Sequence, residues 1–209
     1  MALQSVAAVQ VKTGQPAPPA VPSSDCKELE QKNDAGREEL KGKSRDQSIV
    51  GPNKSGKGTT VSSCKMVPGR PRLRVAHSNQ KAQEKCPSTF VKGGNSSVRS
   101  GSAKTTCGHT HPDPAVQKSG HAEARLLDSI ASKGKMPTSI TFNIDWRKRT
   151  GRPSKMPCMT CHKYMCKLQQ DCDVQIFLCD KKNVKHKLPC PPTRQNRQAL
   201  KKKIDGRGR

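Results

Sequence analysis

The sequence predicts an α/β fold, and two observations carry that prediction. Between His121 and Asp180 the apolar residues recur at helical spacing, then strand spacing, then helical and strand spacing again, an alternation that builds a sheet covered by helices. Ahead of this region the chain is polar and low in complexity, the composition of a segment that buries no core. The expected architecture is therefore a three-layer α/β/α sandwich, residues 75–190, with its last two strands antiparallel. A disordered, linker-like arm (1–74) precedes it and a basic tail (191–209) follows.

Composition bounds what such a chain does. Of its 209 residues 31% are hydrophobic and 2% aromatic, so the whole length cannot bury a proportionate core. A formal net charge of +24 argues for a polyanionic partner, nucleic acid ahead of an anionic membrane surface, against the blander reading of a solubilising charge. No run approaches the roughly 18 apolar residues of a spanning helix, and "MALQSVAAVQVKTG" lacks the basic start and apolar stretch of a signal peptide. The 10 cysteines point to metal binding or free thiols, because a disulfide framework is the expectation for short secreted chains.

In the arm, "TGQPAPPAVPSSD" and "VGPNKSGKGTTVSS" carry no sustained period. Gly51, Gly56, Lys57, Gly58 and Thr59 resemble the phosphate loop of adenylate kinases, but that loop works between a buried strand and a helix. "RDQSIV" makes a poor strand and "TTVSSCKMVPGRP" a poor helix. "STFV" and "SSVR" flank the turn-forming "KGGN", which predicts a hairpin over 88–99, followed by loop to residue 119. From His121 to Ser132, positions 123, 126, 127, 130 and 131 share one helical face, with Gly134 at the stop. In "SITFNIDW", Ile140, Phe142, Ile144 and Trp146 alternate with Thr141, Asn143 and Asp145, which predicts a strand with one face in the core. Pro157 opens a second helix that aligns Cys158, Cys161, Met165 and Leu168. "DVQIFLCD" reads as an apolar strand, and "KKN" turns the chain into "VKHKL".

Each of these helices puts an unusual residue on its buried face. Glu123 shares a stripe with Leu126, Leu127 and Ile130, where an unpaired carboxylate is costly, unless it is a first-turn acid that reaches water and is favoured by the helix dipole. Cys158 and Cys161 begin the second stripe, and thiolates at a helix start are good metal ligands or redox groups. A structural site completed by Cys166, Cys172, Cys179, Cys190, His162 or His186 is one possibility, although Cys179 within an apolar strand also reads as a small hydrophobe. The other completion is His121. In a crossover unit both helix starts lie at the same end of the sheet, so His121, Cys158 and Cys161 converge on a tetrahedral ion and Glu123 faces its fourth position.

The residues "HAE" at 121–123 and "PCMTC" at 157–161 resemble the H-x-E and P-C-x-x-C signature of the zinc-dependent deaminases of nucleosides and nucleic acids. The resemblance to this cytidine deaminase-like superfamily implies that His121, Cys158 and Cys161 bind Zn2+. It implies that Glu123 is catalytic, moving protons between water and the leaving ammonia. Ala122 looks like the small residue many members place between the two as part of the substrate pocket, and Asn95 is a candidate substrate contact from the first hairpin. The pairing of "IFLCD" with "VKHKL" looks like the branch containing cytidine deaminases and bacterial toxin deaminases.

Together these features predict a zinc-dependent hydrolase of amidine C–N bonds, converting cytosine to uracil in DNA or RNA. Arg147, Lys148, Arg149, Arg152 and Lys155, with the basic C-terminus, would carry the phosphates. A low-complexity arm ahead of a compact deaminase resembles the effectors of bacterial polymorphic toxin systems. That likeness implies a neutralising immunity protein and either a cytoplasmic location or delivery into a target cell outside the general secretory route. Trp146 and Tyr164 are the aromatics available to wall a flipped base, though Trp146 also fits the strand's core face. His109 and His111 read as loop residues. The alternatives are a deaminase of free nucleosides or nucleotides, and a non-enzymatic zinc protein that binds nucleic acid.

Overall fold

The computed structural model describes residues 22–43, 60–67, 74–78, 121–131, 136–147 and 153–206. They form a mixed α/β unit: α1 (Ser24–Lys43), β1 (Thr60–Val67), β2 (Arg74–His77), α2 (Ala122–Ala131), β3 (Ser139–Arg147), β4 (Pro153–Ser154), α3 (Met159–Cys172), β5 (Gln175–Cys179), β6 (Lys185–Lys187) and α4 (Arg194–Asp205). The sheet runs β2-β1-β3-β5-β6, and the short β4 pairs with β3. β3 is antiparallel to β1 and parallel to β5, which it reaches through α3, while β5 and β6 pair antiparallel. The hairpin expected over 88–99 lies outside the described residues.

The elements with clean apolar periods form where the pattern puts them. On β3, Ile140, Phe142 and Ile144 are buried in one cluster with Leu126, Leu127 and Ile130 of α2 and with Met165 and Leu168 of α3. The opposite face of β3 departs from expectation. Thr141, Asn143 and Asp145, read as a polar outer face, are also buried, because α1 covers them. Asn33 Nδ2 donates to the Asn143 carbonyl (3.0 Å), Asn143 Nδ2 donates to the Cys26 carbonyl (3.1 Å), and Arg37 ion-pairs with Asp145 while its Nη2 donates to the Asp145 carbonyl (2.7 Å).

The stretch read as a disordered arm thus supplies a helix and a central strand, a correction with a clear cause. The buried stripe of α1 is Cys26, Leu29, Asn33, Arg37 and Leu40, and its polar members break the apolar period that marks a helix. β1 hides similarly: Ser62, Ser63 and Cys64 are fully buried. Ser63 Oγ donates to the Leu29 carbonyl (2.7 Å), which satisfies the hydroxyl where water cannot reach. Lys65 Nζ reaches Asp25 (2.7 Å) and Glu28 (3.2 Å) along the same face.

The C-terminal segment is also part of the fold rather than a free tail. Thr193 caps α4 by accepting from Asn196 N, and Leu200 and Ile204 join the main cluster. Asp205 accepts from Ser154 Oγ (2.9 Å) and Lys155 N (3.1 Å). With two apolar anchors in a run of lysines, the helical period is below recognition in the sequence.

Cysteine pairing overturns the expectation of free thiols. Cys26 bonds Cys179, tying α1 to β5; Cys166 bonds Cys190; and Cys172 is disulfide-bonded as well. Cys179 is therefore a cross-link rather than a small hydrophobe. The Cys26–Cys179 loop, at a separation of 153 residues, removes chain entropy worth about 5 kcal/mol in the loop-closure model. A Cys26→Ala/Cys179→Ala double variant is expected to lose about 3–5 kcal/mol of unfolding free energy, read from the denaturant midpoint. An unchanged midpoint would show that the bond contributes nothing.

The Lys65 hydrogen bond holds the Asp25 carboxyl below its ordinary value of 3.8 against the opposing effect of partial burial. A depressed carboxylate stabilises the fold above its unfolded pKa and loses that contribution as pH falls through the folded value. Between pH 6 and pH 3, Asp25→Asn should therefore lose less stability than wild type in chemical denaturation.

Candidate metal centre

Two helix starts meet on the apolar face of the sheet. His121 stands just before α2, and its carbonyl accepts from Arg125 N (3.0 Å), as an N-cap residue does. Cys158 caps α3: its backbone is extended (φ −62, ψ 166), its Sγ accepts from Cys161 N (3.3 Å), and its carbonyl accepts from His162 N (2.9 Å). Pro157 suits the approach because it has no N–H to satisfy. The cysteine spacing thus does two jobs, placing one sulfur as the cap and the other at the cap's partner position.

His121 Nδ1 lies 3.2 Å from Cys158 Sγ and 3.3 Å from Cys161 Sγ. An ion bound tetrahedrally at about 2.05 Å from nitrogen and about 2.3 Å from sulfur separates those atoms by about 3.5 Å. The three side chains therefore fit a metal ion with a few tenths of an ångström of adjustment. One imidazole and two thiolates are a donor set suited to zinc. Cys161 is fully buried, whereas His121 and Cys158 are half-buried.

The electrostatics are those of a cluster competing for protons. Hydrogen bonds from Cys161 and His121 pull Cys158 down to about 4. The hydrogen bond with Cys158 and burial, followed by the charges of Glu123 and Cys158, push Cys161 well above the usual thiol value. Glu123 is 4% exposed and is raised to about 7, first by burial and then by the negative Cys158, against a hydrogen bond from Cys161. The Glu123 carboxyl thus belongs to the cluster and is not a solvated first-turn acid. Ala122, between the two motif residues, is fully buried.

A second group, His162, Cys166 and Cys190, has its donor atoms within 4.8 Å of one another, but each atom is already committed. The two sulfurs form a disulfide, His162 Nε2 pairs with the Pro189 carbonyl (2.8 Å), and Nδ1 with Arg197 Nη1 (3.0 Å). His186 pairs with Asp180 (2.9 Å), and Cys172 and Cys179 are disulfide-bonded. None of the local candidates completes the Cys158–Cys161 pair, which leaves His121.

Other expected site residues fare differently. Lys155 is 5% exposed, and its Nζ turns inward to Glu30 (2.9 Å) and Asn143 Oδ1 (2.7 Å). It is a structural cation, not a phosphate contact. Arg147 ends β3 opposite Pro153; Lys148, Arg149, Arg152, Asn95, His109 and His111 lie outside the described residues. Tyr164 is fully buried among the core residues, and Trp146 is half-buried against the same cluster, so Tyr164 does not wall a pocket. Sequence reasoning missed Arg197, which donates to the Pro157 carbonyl (3.1 Å) and to His162; within a basic run nothing marks it out.

No protein-family model, curated protein or solved structure matches this chain.

The wild-type chain is expected to bind one equivalent of zinc, by elemental analysis after dialysis against micromolar free metal. Cys158→Ser, Cys161→Ser and His121→Ala should each abolish that occupancy, while Cys26→Ala/Cys179→Ala retains it. Zinc retained by all three single variants would place the metal elsewhere.

Proposed function

We propose that this protein is a zinc-dependent hydrolytic deaminase that converts cytosine to uracil in DNA or RNA. The observation that carries the reading is the buried Glu123 carboxyl beside the His121, Cys158 and Cys161 side chains at the junction of two helix starts. A structural metal knuckle has no need of a buried ionisable carboxyl beside its ligands, whereas a general acid–base of this kind does. Further support comes from the fold: α1 meets one face of the sheet and α2 and α3 the other, in keeping with a three-layer α/β/α sandwich. The antiparallel β5–β6 pair agrees with the cytidine deaminase-like branch.

Zinc held by His121, Cys158 and Cys161 would supply Lewis acidity that makes water a nucleophile near neutral pH. The protein's part is proton transfer and positioning. A Glu123 carboxylate oxygen takes the proton from the attacking water and passes it to the ring nitrogen N3, then carries the remaining hydroxyl proton to the amino nitrogen as the C–N bond breaks. Water is consumed, a carbonyl forms, and ammonia departs. Burial of Cys161 and Ala122 keeps bulk solvent from that side of the site.

The net charge of +24 favours a polyanionic substrate over a free nucleoside. The exposed Lys201, Lys202 and Lys203 of α4 are among the cations that could meet phosphates, and the basic run of Arg147, Lys148, Arg149 and Arg152 in the sequence adds to the charge. Disulfides persist in oxidising compartments, so the bonds of Cys26, Cys166 and Cys172 support an exported effector, with an immunity protein as its neutralising partner. Among the described residues no helix is long and apolar enough to cross a membrane.

Wild type and Glu123→Gln, incubated with single-stranded and duplex DNA and RNA and then sequenced, test the reading. Glu123→Gln should keep its zinc and lose roughly 10²-fold or more in C-to-U conversion, the scale of general acid–base catalysis. Equal activity in the two proteins would sink the catalytic assignment, and vigorous salt-indifferent conversion of free cytidine would move the substrate to nucleosides.

A further inference from the structure

The turn that carries both cysteines is gripped from outside by α4. Arg197 Nη2 donates to the Pro157 carbonyl (3.1 Å), one residue before Cys158, and Nη1 donates to His162 Nδ1 (3.0 Å), one residue after Cys161. A guanidinium only donates, so His162 Nδ1 must accept and the ring proton sits on Nε2. That proton points at the Pro189 carbonyl, 2.8 Å away. The neighbouring Cys190 is joined to Cys166 one turn further along α3. His162 is fully buried, so its ring orientation is set by these partners rather than by water. The chain from α4 to the cysteine turn is thus continuous, running from guanidinium to imidazole to a carbonyl pinned beside a disulfide.

We infer that Arg197 is a positioning residue for the metal centre: its planar fork clamps both ends of the Pro157–His162 turn and so holds Cys158 and Cys161 at ligand spacing. The inference rests on the metal reading of His121, Cys158 and Cys161. Two features make the fork suited to the task. It spans two acceptors about one helical turn apart with fixed geometry, which a lysine's single ammonium does not reproduce. It also places a permanent positive charge near the Cys158 sulfur, which favours the thiolate form that a metal ion binds. Partners of this kind, outside the ligand set itself, typically change metal affinity or activity by about 10- to 100-fold when removed.

The test is zinc transfer from the loaded full-length protein to a chromophoric chelator, followed in time. Arg197→Gln should release zinc about 10- to 100-fold faster than wild type, and Arg197→Lys should lie closer to Arg197→Gln than to wild type. Leu200→Val, which loosens the packing of α4 without touching the fork, should stay near the wild-type rate. The inference is overturned if Arg197→Gln releases zinc at the wild-type rate, if Arg197→Lys matches wild type, or if Leu200→Val accelerates release as much as Arg197→Gln does. A wild-type chain that takes up no zinc at all overturns the metal reading and this inference together, an outcome distinct from the other three.

Discussion

Burial of β3 on both faces is the constraint around which the rest of the structure is arranged. One face, Ile140, Phe142 and Ile144, is satisfied by apolar contact with α2 and α3. The other is polar, and burying Asn143 and Asp145 is tolerable only because α1 brings groups that answer them. Arg37 answers Asp145, while Asn33 and Lys155 answer Asn143. Breaking such a buried ion pair by deleting one partner typically costs about 3–5 kcal/mol, because the other charge is left uncompensated. The polar seam therefore fixes where α1 docks, and an apolar seam would hold it less specifically. Lys155 ties the segment that leads into Cys158 to this seam through Glu30 and Asn143.

The candidate metal centre sits where the starts of α2 and α3 converge. A helix start presents unsatisfied N–H groups and a partial positive charge, so two starts side by side favour anionic sulfur and lower the cost of holding two thiolates together. Glu123, two residues into α2, is drawn into the same field but is also deep in the protein, and burial wins. Its raised pKa is thus a product of the same local geometry that lowers that of Cys158. The opposite signs of the two shifts follow from hydrogen bonds that favour the Cys158 thiolate and from burial that disfavours the Glu123 carboxylate.

What the sequence made legible follows a physical rule. α2, β3, α3 and β5 bury faces that are mostly apolar, so their periods are visible and their positions emerge within a residue or two. The convergence of His121 with Cys158 and Cys161 was readable because ligand types at helix starts have few other uses. α1, β1 and α4 were not legible, because Asn33, Arg37, Ser62 and Ser63 lie on their buried faces and α4 rests on Leu200 and Ile204. At Asn33, Arg37 and Ser63 a hydrogen bond or ion pair replaces the apolar contact that a periodicity argument detects, and in α4 two apolar anchors are too few to show a period. The cysteine pairing was out of reach for a different reason, since connectivity is a property of the folded chain and many pairings share one sequence. Lys155 looked like one more cation in a basic insert, and only its inward turn to Glu30 and Asn143 separates it from the others.

The Cys26–Cys179 bond gives the molecule a topology as well as a shape. Residues 26 to 179 form a covalently closed ring that includes His121, Glu123, Cys158 and Cys161. A single proteolytic cut inside that ring opens it without separating the pieces, so His121 and the two cysteines remain in one molecule as long as the bond is intact. The ring also restricts passage of the chain through a narrow pore. An oxidised chain enters as a loop, with two strands abreast, and single-file threading first requires a reductant to deliver two electrons to each sulfur–sulfur bond that closes a loop.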